Sequence, residues 1–572
     1  MRMDPRALPL LRNLPGAAAL PPLVLEIDLS GGVLAKAPTD PLSALRQRHT
    51  PTLPDIVTAL RHACGDDRVA AVILLGGNTI RSAQADEIGA GLDAVRASGT
   101  ATYAFSESFG ELGPGTIAYG LAARCEHVWV QPSGQLGLTG IASAVTLLRG
   151  VLDRLGVEPQ FAQRHEFKTA ADQLAAPEVS EANREMTTRL TASAMEQISA
   201  TIADRRGMSA DVLAEIVDRA PLSAVEARDG GLVDRIGYRD ELYAAVRAAH
   251  GEDVELVFAH RYAKRRAKRS PVAQVRRRSA PQVAVVAVHG AIVGGRSREG
   301  RPGPVGDRAG SDTVVAALRA AQGSDRVRAV VLHVDSPGGS YVASDAIRRA
   351  VLGLRASGRP VVASMGGVAA SGGYFVAMGA DRVLALPTTI TGSIGVLAGK
   401  FVVAGLTQRL GVVRELVATG ANATMFAPDA GFTDEQRARL DGWLDEVYDD
   451  FTRKAAEDRG MAWNDLEPLA RGRVWTGADA LHHRLVDELG GRDAAIAHAC
   501  RLARLHRDAA DVVDWPAVSL VERLKPAEST HAPAAAVAHP ALGGPEAWLA
   551  SLGEAAGAPT GVLSLPWPVE LR

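Results

Sequence analysis

The feature that most constrains this chain is that it is written twice. Around Arg68 it reads DDRVAAVILLGG and then DEIGAGLDAVRASGTATYAF; around Arg326 it reads SDRVRAVVLHVDSPGG and then SDAIRRAVLGLRASGRPVVAS. Each copy is a short apolar run, a glycine turn, a stretch with helical spacing and a second apolar run, which is the pattern of a βαβ unit. VWVQPSGQLGLTGI, ending at Ile141, matches VLALPTTITGSIGV, ending at Val396. Pro132 and Pro387 are 255 positions apart, as are Leu155 and Leu410, so the register holds without a gap. Farther on, APLSAVEARDGGLVDRIG parallels RVWTGADALHHRLVDELG. The expectation is a tandem duplication of an α/β domain. Its parts are an N-terminal extension (1–20), a first repeat (21–255), a basic linker (256–281), a second repeat (282–507) and an Ala/Pro-rich tail (508–572).

Composition narrows the function. A formal charge of −2 on 572 residues argues against a polyelectrolyte, and three widely spaced cysteines form neither a disulfide scaffold nor a zinc motif. The uncharged run from Leu14 to Leu25 has twelve residues, contains Pro15, Pro21 and Pro22, and is too short for the ~20 apolar residues of a membrane span. It is followed by Glu26 and Asp28 without a convincing cleavage site, so the expectation is a soluble, cytoplasmic protein. Nine Lys or Arg lie between Arg261 and Arg278. They read first as a solvated linker and second as a peripheral contact with anionic lipid, at about 1 kcal/mol per basic side chain. Without base-reading or stacking motifs, no nucleic-acid partner is expected.

The copies differ where chemistry would be. Ser371 sits in VAASGGYF, among small residues and directly before a helical stretch. Small neighbours leave a hydroxyl unshielded, and a helix N-terminus offers free N–H groups to developing negative charge. The first copy has Thr116 at that position. A serine needs a base within reach. The 14 histidines offer no partner motif, and His333 falls inside a core strand. A lysine can serve if burial lowers its pKa. Lys168, in EFKTAAD, has Ala423 as its counterpart, so one half carries the serine and the other the lysine. Taken singly, Ser371 reads as a helix-packing or capping serine, Lys168 as a solvated surface lysine, and Ser336, before Pro337, as a turn residue.

Together, VDSPGGS (Val334–Ser340), AASGGYFVAM around Ser371, TGSIGV (Thr391–Val396), RVWTGADA near Trp475 and EFKTAAD around Lys168 resemble the long, two-domain form of the signal peptide peptidase A family. These are serine peptidases of the ClpP/crotonase-like fold, and the resemblance runs from about Leu23 to Arg507. It implies Ser371 as nucleophile, Lys168 as general base and Ser393 as the residue that orients the lysine. Gly338, Gly339 and Gly372 would form the oxyanion hole, where each donor contributes about 3–4 kcal/mol. A water-poor junction between the two domains would desolvate the lysine.

The resemblance further implies an acyl-enzyme mechanism without metal or organic cofactor, with remnant signal peptides or other apolar unfolded peptides bound as an added strand. It also implies a homo-oligomer, tetrameric, that hides its active sites. Many long-form members carry an N-terminal anchor not seen in this sequence, which leaves a cytoplasmic oligopeptidase open. A crotonase-like acyl-CoA enzyme and an inactive peptide- or membrane-binding scaffold also stay open, because the fold by itself does not choose among them.

Overall fold

The computed structural model describes residues 21–36, 45–268, 279–298, 307–515 and 563–564. The chain forms two compact units. One is drawn from Met1–Thr79, Ile88–Leu138 and Asp218–Arg269, the other from Ile80–Glu87, Thr139–Val217 and Ser270–Arg572.

The first unit is built on a six-stranded parallel sheet in the order Arg235–Ile236, His127–Val130, Ala101–Ser106, Val69–Leu75, Leu23–Asp28, Glu255–Phe258. VAAVILL at Val69–Leu75 is almost wholly buried, as a parallel strand covered on both faces requires. The C-terminal part of the Leu14–Leu25 run is thus sheet, since Leu23–Leu25 open the strand Leu23–Asp28; residues 14–20 lie outside the described residues. No helix among the described residues is long and apolar enough to cross a membrane.

The basic segment departs from the expected solvated linker. Ala259–Lys268 is a helix with Ala259, Tyr262 and Ala263 buried. Tyr262 donates to Asp66 at 2.8 Å, Arg266 pairs with Asp66 at 2.6 Å and Lys264 with Asp55 at 3.1 Å. Apolar residues at Ala259, Tyr262 and Ala263 give this stretch a helical stripe that its charge count conceals. Residues 269–278 lie outside the described residues.

The second unit holds the larger sheet, ordered Val474–Thr476, Ile390–Gly392, Val361–Ala370, Val327–Ser336, Gln282–His289, Asp511–Asp514. Arg382–Ala385 runs parallel beside Val361–Ala370 and carries Glu488–Leu489 on its far edge. The expected tail therefore begins with a sheet strand at Asp511–Asp514, and most of residues 516–572 lie outside the described residues. A small second sheet joins Arg308–Gly310, Ala291–Val293, Gly338–Gly339 and Leu563–Ser564.

The duplication is visible in individual hydrogen bonds. Tyr119 donates its hydroxyl to the Leu232 carbonyl at 2.7 Å, and Tyr374 to that of Leu485 at 2.9 Å. Val128 N–H reaches Asp234, and Val383 N–H reaches Asp487, each at 2.7 Å. The long helices Glu181–Arg206 and Asp434–Arg459 each start at a hydroxyl cap, Ser180 or Thr433, and each stop at a left-handed glycine, Gly207 or Gly460.

The compact units do not follow the repeat boundary. Residues 139–217, from the first repeat, fold with the second. The reason is a strand exchange: Glu158–Gln163 pairs antiparallel with Leu397–Val402, placing two parts of the duplicated sequence on one ladder. A ladder of six residue pairs contributes main-chain hydrogen bonds that no local pattern in either strand announces.

Candidate active site

Ser371 stands where the strand Val361–Ala370 turns into the helix Gly372–Ala377. Its backbone has φ 55° and ψ −115°, a region that non-glycine residues rarely occupy and that costs of order 1–3 kcal/mol. Two hydrogen bonds hold it there: Ser371 N–H donates to Gly392 O at 2.8 Å, and its carbonyl accepts from Phe375 N–H at 2.9 Å. The flanking glycines are steric requirements. A Cβ on Gly372 would lie 2.8 Å from Ser344 Oγ, and one on Gly373 would lie 2.6 Å from the Ser336 carbonyl.

Lys168 arrives on the segment after the exchanged strand. Its side chain is fully buried, and so are those of Ser371 and Ser393. Lys168 Nζ lies 2.8 Å from Ser371 Oγ, 2.9 Å from Ser393 Oγ and 3.0 Å from Ser393 O. Burial drives its pKa well below the ordinary lysine range, and no charged group is among the causes. A neutral amine has two N–H bonds and one lone pair. Donating both N–H bonds to Ser393 would leave the lone pair for the Ser371 hydroxyl.

The three residues that the sequence singled out are thus together, but inside one compact unit and not at a junction of two. The exchanged strand has moved the lysine-bearing segment into the unit that carries the serine. His333 lies partly buried in the strand Val327–Ser336, where desolvation and His289 depress its pKa; its ring lies 3.3 Å from Ser364 Oγ, and Ser371 is not among its partners.

Gly338 has φ 101° and Gly339 φ 150°. Ser336 Oγ accepts the Gly338 N–H at 3.1 Å, in keeping with a turn role. A Cβ on Gly339 would overlap the Ile292 backbone.

Other residues of the site were not singled out by the sequence, although Gly395 lies within TGSIGV and Arg473 opens RVWTGADA. Gly472, at φ 83°, lies so close under the lysine that a Cβ there would sit 2.5 Å from Lys168 Cα, and a Cβ on Gly395 would sit 3.2 Å from Lys168 Cδ. Arg473 accepts the Ser393 N–H on its carbonyl at 2.7 Å, stacks its guanidinium over Phe167 and Trp475 at 4.3 and 5.0 Å, and pairs with Glu185. The RVWTGADA motif pointed to this neighbourhood, but nothing local to it marks a support for the lysine.

A model of peptidase family S49 matches residues 113–253 and 353–506, more than half of the chain. The chain belongs to peptidase family S49. A Clp protease model matches residues 303–391, and the two S49 segments agree with tandem ClpP-like domains. Protease 4 of Salmonella typhi is 30% identical over 506 residues, spanning 84% of this chain and 78% of that protein. Protease 4 of Haemophilus influenzae is 27% identical over 492 residues, spanning 82% of this chain and 77% of the relative. The chloroplastic serine protease SPPA of Arabidopsis thaliana is 28% identical over 428 residues; the chain spans 60% of its length. This S49 member is accordingly a serine-type peptidase, a finding that removes the acyl-CoA enzyme from consideration.

Proposed function

We propose that the protein is an endopeptidase in which Lys168 activates Ser371, acting on apolar, unfolded peptides such as remnant signal peptides. One observation carries the reading: an amine and a hydroxyl 2.8 Å apart, both fully buried, with the amine shifted toward its neutral form. Neutral Lys168 takes the Ser371 proton as Oγ attacks the peptide carbonyl. The lysinium then protonates the leaving amine, and the regenerated amine activates the water that releases the acyl group. Ser393 orients the amine through both of its oxygens. Because the Gly338 N–H is engaged by Ser336, the N–H groups of Gly339 and of Gly372, in the first turn of its helix, are the donors best suited to the oxyanion.

Strand addition is the favoured mode of substrate binding. Gly338–Gly339 pairs antiparallel with Leu563–Ser564, so the edge beside the serine accepts an extended segment of the chain's own tail. A peptide bound in the same manner competes with that segment. Deleting residues 516–572 is expected to lower KM for an apolar peptide several-fold with little change in kcat; an unchanged KM would count against this edge as the substrate strand.

A cytoplasmic location and a homotetramer belong to the same reading, as does action on peptides other than signal remnants. The inert scaffold is disfavoured by the strained, lysine-bonded serine, which packing alone does not require. The decisive experiment is reaction with a fluorophosphonate followed by peptide mapping. The adduct is expected on Ser371 and absent from the Ser371→Ala protein. An adduct on a different serine would remove the proposal.

A further inference from the structure

The first repeat has Thr116 at the nucleophile's position, yet it carries a cavity of its own. Its sheet grows outward from Leu23–Asp28 in both directions: the chain passes to Val69–Leu75 on one side and, at the end of the repeat, returns to Glu255–Phe258 on the other. The strands at this reversal are parallel, so Asp28 and Phe258 finish at the same edge. In open α/β sheets the crevice beyond such strand ends is where ligands bind. A cavity of about 250 Å³ lies there, lined by both strand ends and the residues that follow them, together with His49–Pro51 and Ile56.

The charged groups in its wall are incompletely partnered. Glu26 accepts the Tyr243 hydroxyl on Oε1, and Asp28 accepts the Ser30 N–H and hydroxyl on Oδ1; the second oxygen of each carboxylate has no hydrogen-bond partner among the described residues. Arg239 reaches this group only through the Tyr243 hydroxyl, at 3.3 Å. On the helix Ala259–Lys268, Lys264, Arg265 and Arg266 pair with Asp55, Glu255 and Asp66. Arg261, the arginine of that helix in the cavity wall, lies over the Phe258 ring at 5.5 Å and has no carboxylate partner among the described residues. Two acids and a guanidinium thus line one cavity without meeting. The fold does not demand the acids. Val24 pairs with Ala71 as Val283 pairs with Ala329, so the second repeat holds Val285 and Ala287 where the first holds Glu26 and Asp28.

We infer that the cavity binds a free α-amino acid with an apolar side chain: Glu26 and Asp28 take the ammonium, Arg261 takes the carboxylate, and Ile27, Ile56 and Phe258 take the side chain. Size sets the limit. Drug-sized ligands fill ~300–1,000 Å³, so 250 Å³ suits a molecule on the scale of one residue. Charge sets the class. A lone cation would leave Arg261 unanswered and a lone anion would face two carboxylates, whereas a zwitterion satisfies both signs. No set of three metal-ligating side chains occurs among the described residues, which argues against a metal ion as the occupant. The inference is independent of the Lys168–Ser371 reading, since every residue it uses belongs to the other compact unit.

The test is calorimetric titration of the intact chain with L-leucine at neutral pH. Saturable binding is expected, with isocaproate, which lacks the amine, and L-leucinamide, which lacks the carboxylate, each at least about tenfold weaker. Arg261→Met should weaken L-leucine by a similar factor and leave L-leucinamide unchanged. Glu26→Gln/Asp28→Asn should weaken L-leucine and leave isocaproate unchanged. A general loss of structure does not produce that crossed pattern, and circular dichroism of both variants should match the wild type. Absence of saturable binding by L-leucine, L-valine and L-phenylalanine would overturn the inference, as would an affinity indifferent to both variants or an equal loss for all ligands. Fluorophosphonate-treated protein should bind L-leucine as well as untreated protein does; loss of binding on that treatment would move the ligand to the Ser371 site and equally end the proposal.

Discussion

Ser371→Ala is expected to lower kcat/KM for an apolar peptide by more than about 10⁴-fold, and Lys168→Met by about 10²- to 10⁴-fold, the range that a positioned general base contributes. Both variants should keep the wild-type circular dichroism. Methionine is the informative replacement for Lys168 because it fills nearly the same volume without an amine. Ser371 Oγ stays in place, on a backbone fixed by its bonds to Gly392 and Phe375. A Lys168→Met enzyme with normal turnover would mean that the 2.8 Å contact is structural.

Gly472→Ala is expected to cost about 10²-fold in kcat although residue 472 touches no reacting atom. Alanine at φ 83° is strained by roughly 1–2 kcal/mol, and its Cβ would collide with the Lys168 backbone. The lysine segment must then move, and a displacement near 1 Å at a catalytic group is enough for a loss of that size. The loss should appear in kcat with KM little changed, and the rate of fluorophosphonate labelling should fall in parallel. Gly442→Ala is the control, because a Cβ there meets nothing within 4 Å in an otherwise regular helix. Equal activity in the two variants would show that the close packing beneath Lys168 does not set the amine's position.

The duplication, the parallel α/β plan and Ser371 are legible because each rests on local sequence, and Ser393 through the resemblance that TGSIGV carries. Val69–Leu75 and Val327–Ser336 read as buried strands, and Ser371 stands out by its small neighbours. Lys168 emerges only from comparing the copies, since one lysine beside Thr169 and Ala170 has nothing in its own environment to suggest burial. What stays hidden depends on contacts far apart in sequence. The ladder between Glu158–Gln163 and Leu397–Val402 joins segments that look like ordinary arms, so the sequence points to a site at a domain junction whereas the site lies within one unit. Gly472 and Gly395 matter because of what presses on them, and a lone glycine in sequence does not reveal its neighbour. The helix Ala259–Lys268 reads as linker because its charges outnumber the three residues that bury it.

The central claim is that Lys168 is the base for Ser371 by virtue of being buried and uncharged. Its most direct test is the rate of Ser371 phosphonylation as a function of pH. Because folding lowers the lysine pKa, the reactive neutral amine grows as pH rises through that lowered value. The wild-type rate is therefore predicted to climb through one ionisation whose midpoint lies clearly below the ordinary lysine value of about 10.4, and Lys168→Met should remove that step. A flat profile, or the same step persisting in Lys168→Met, would contradict the account.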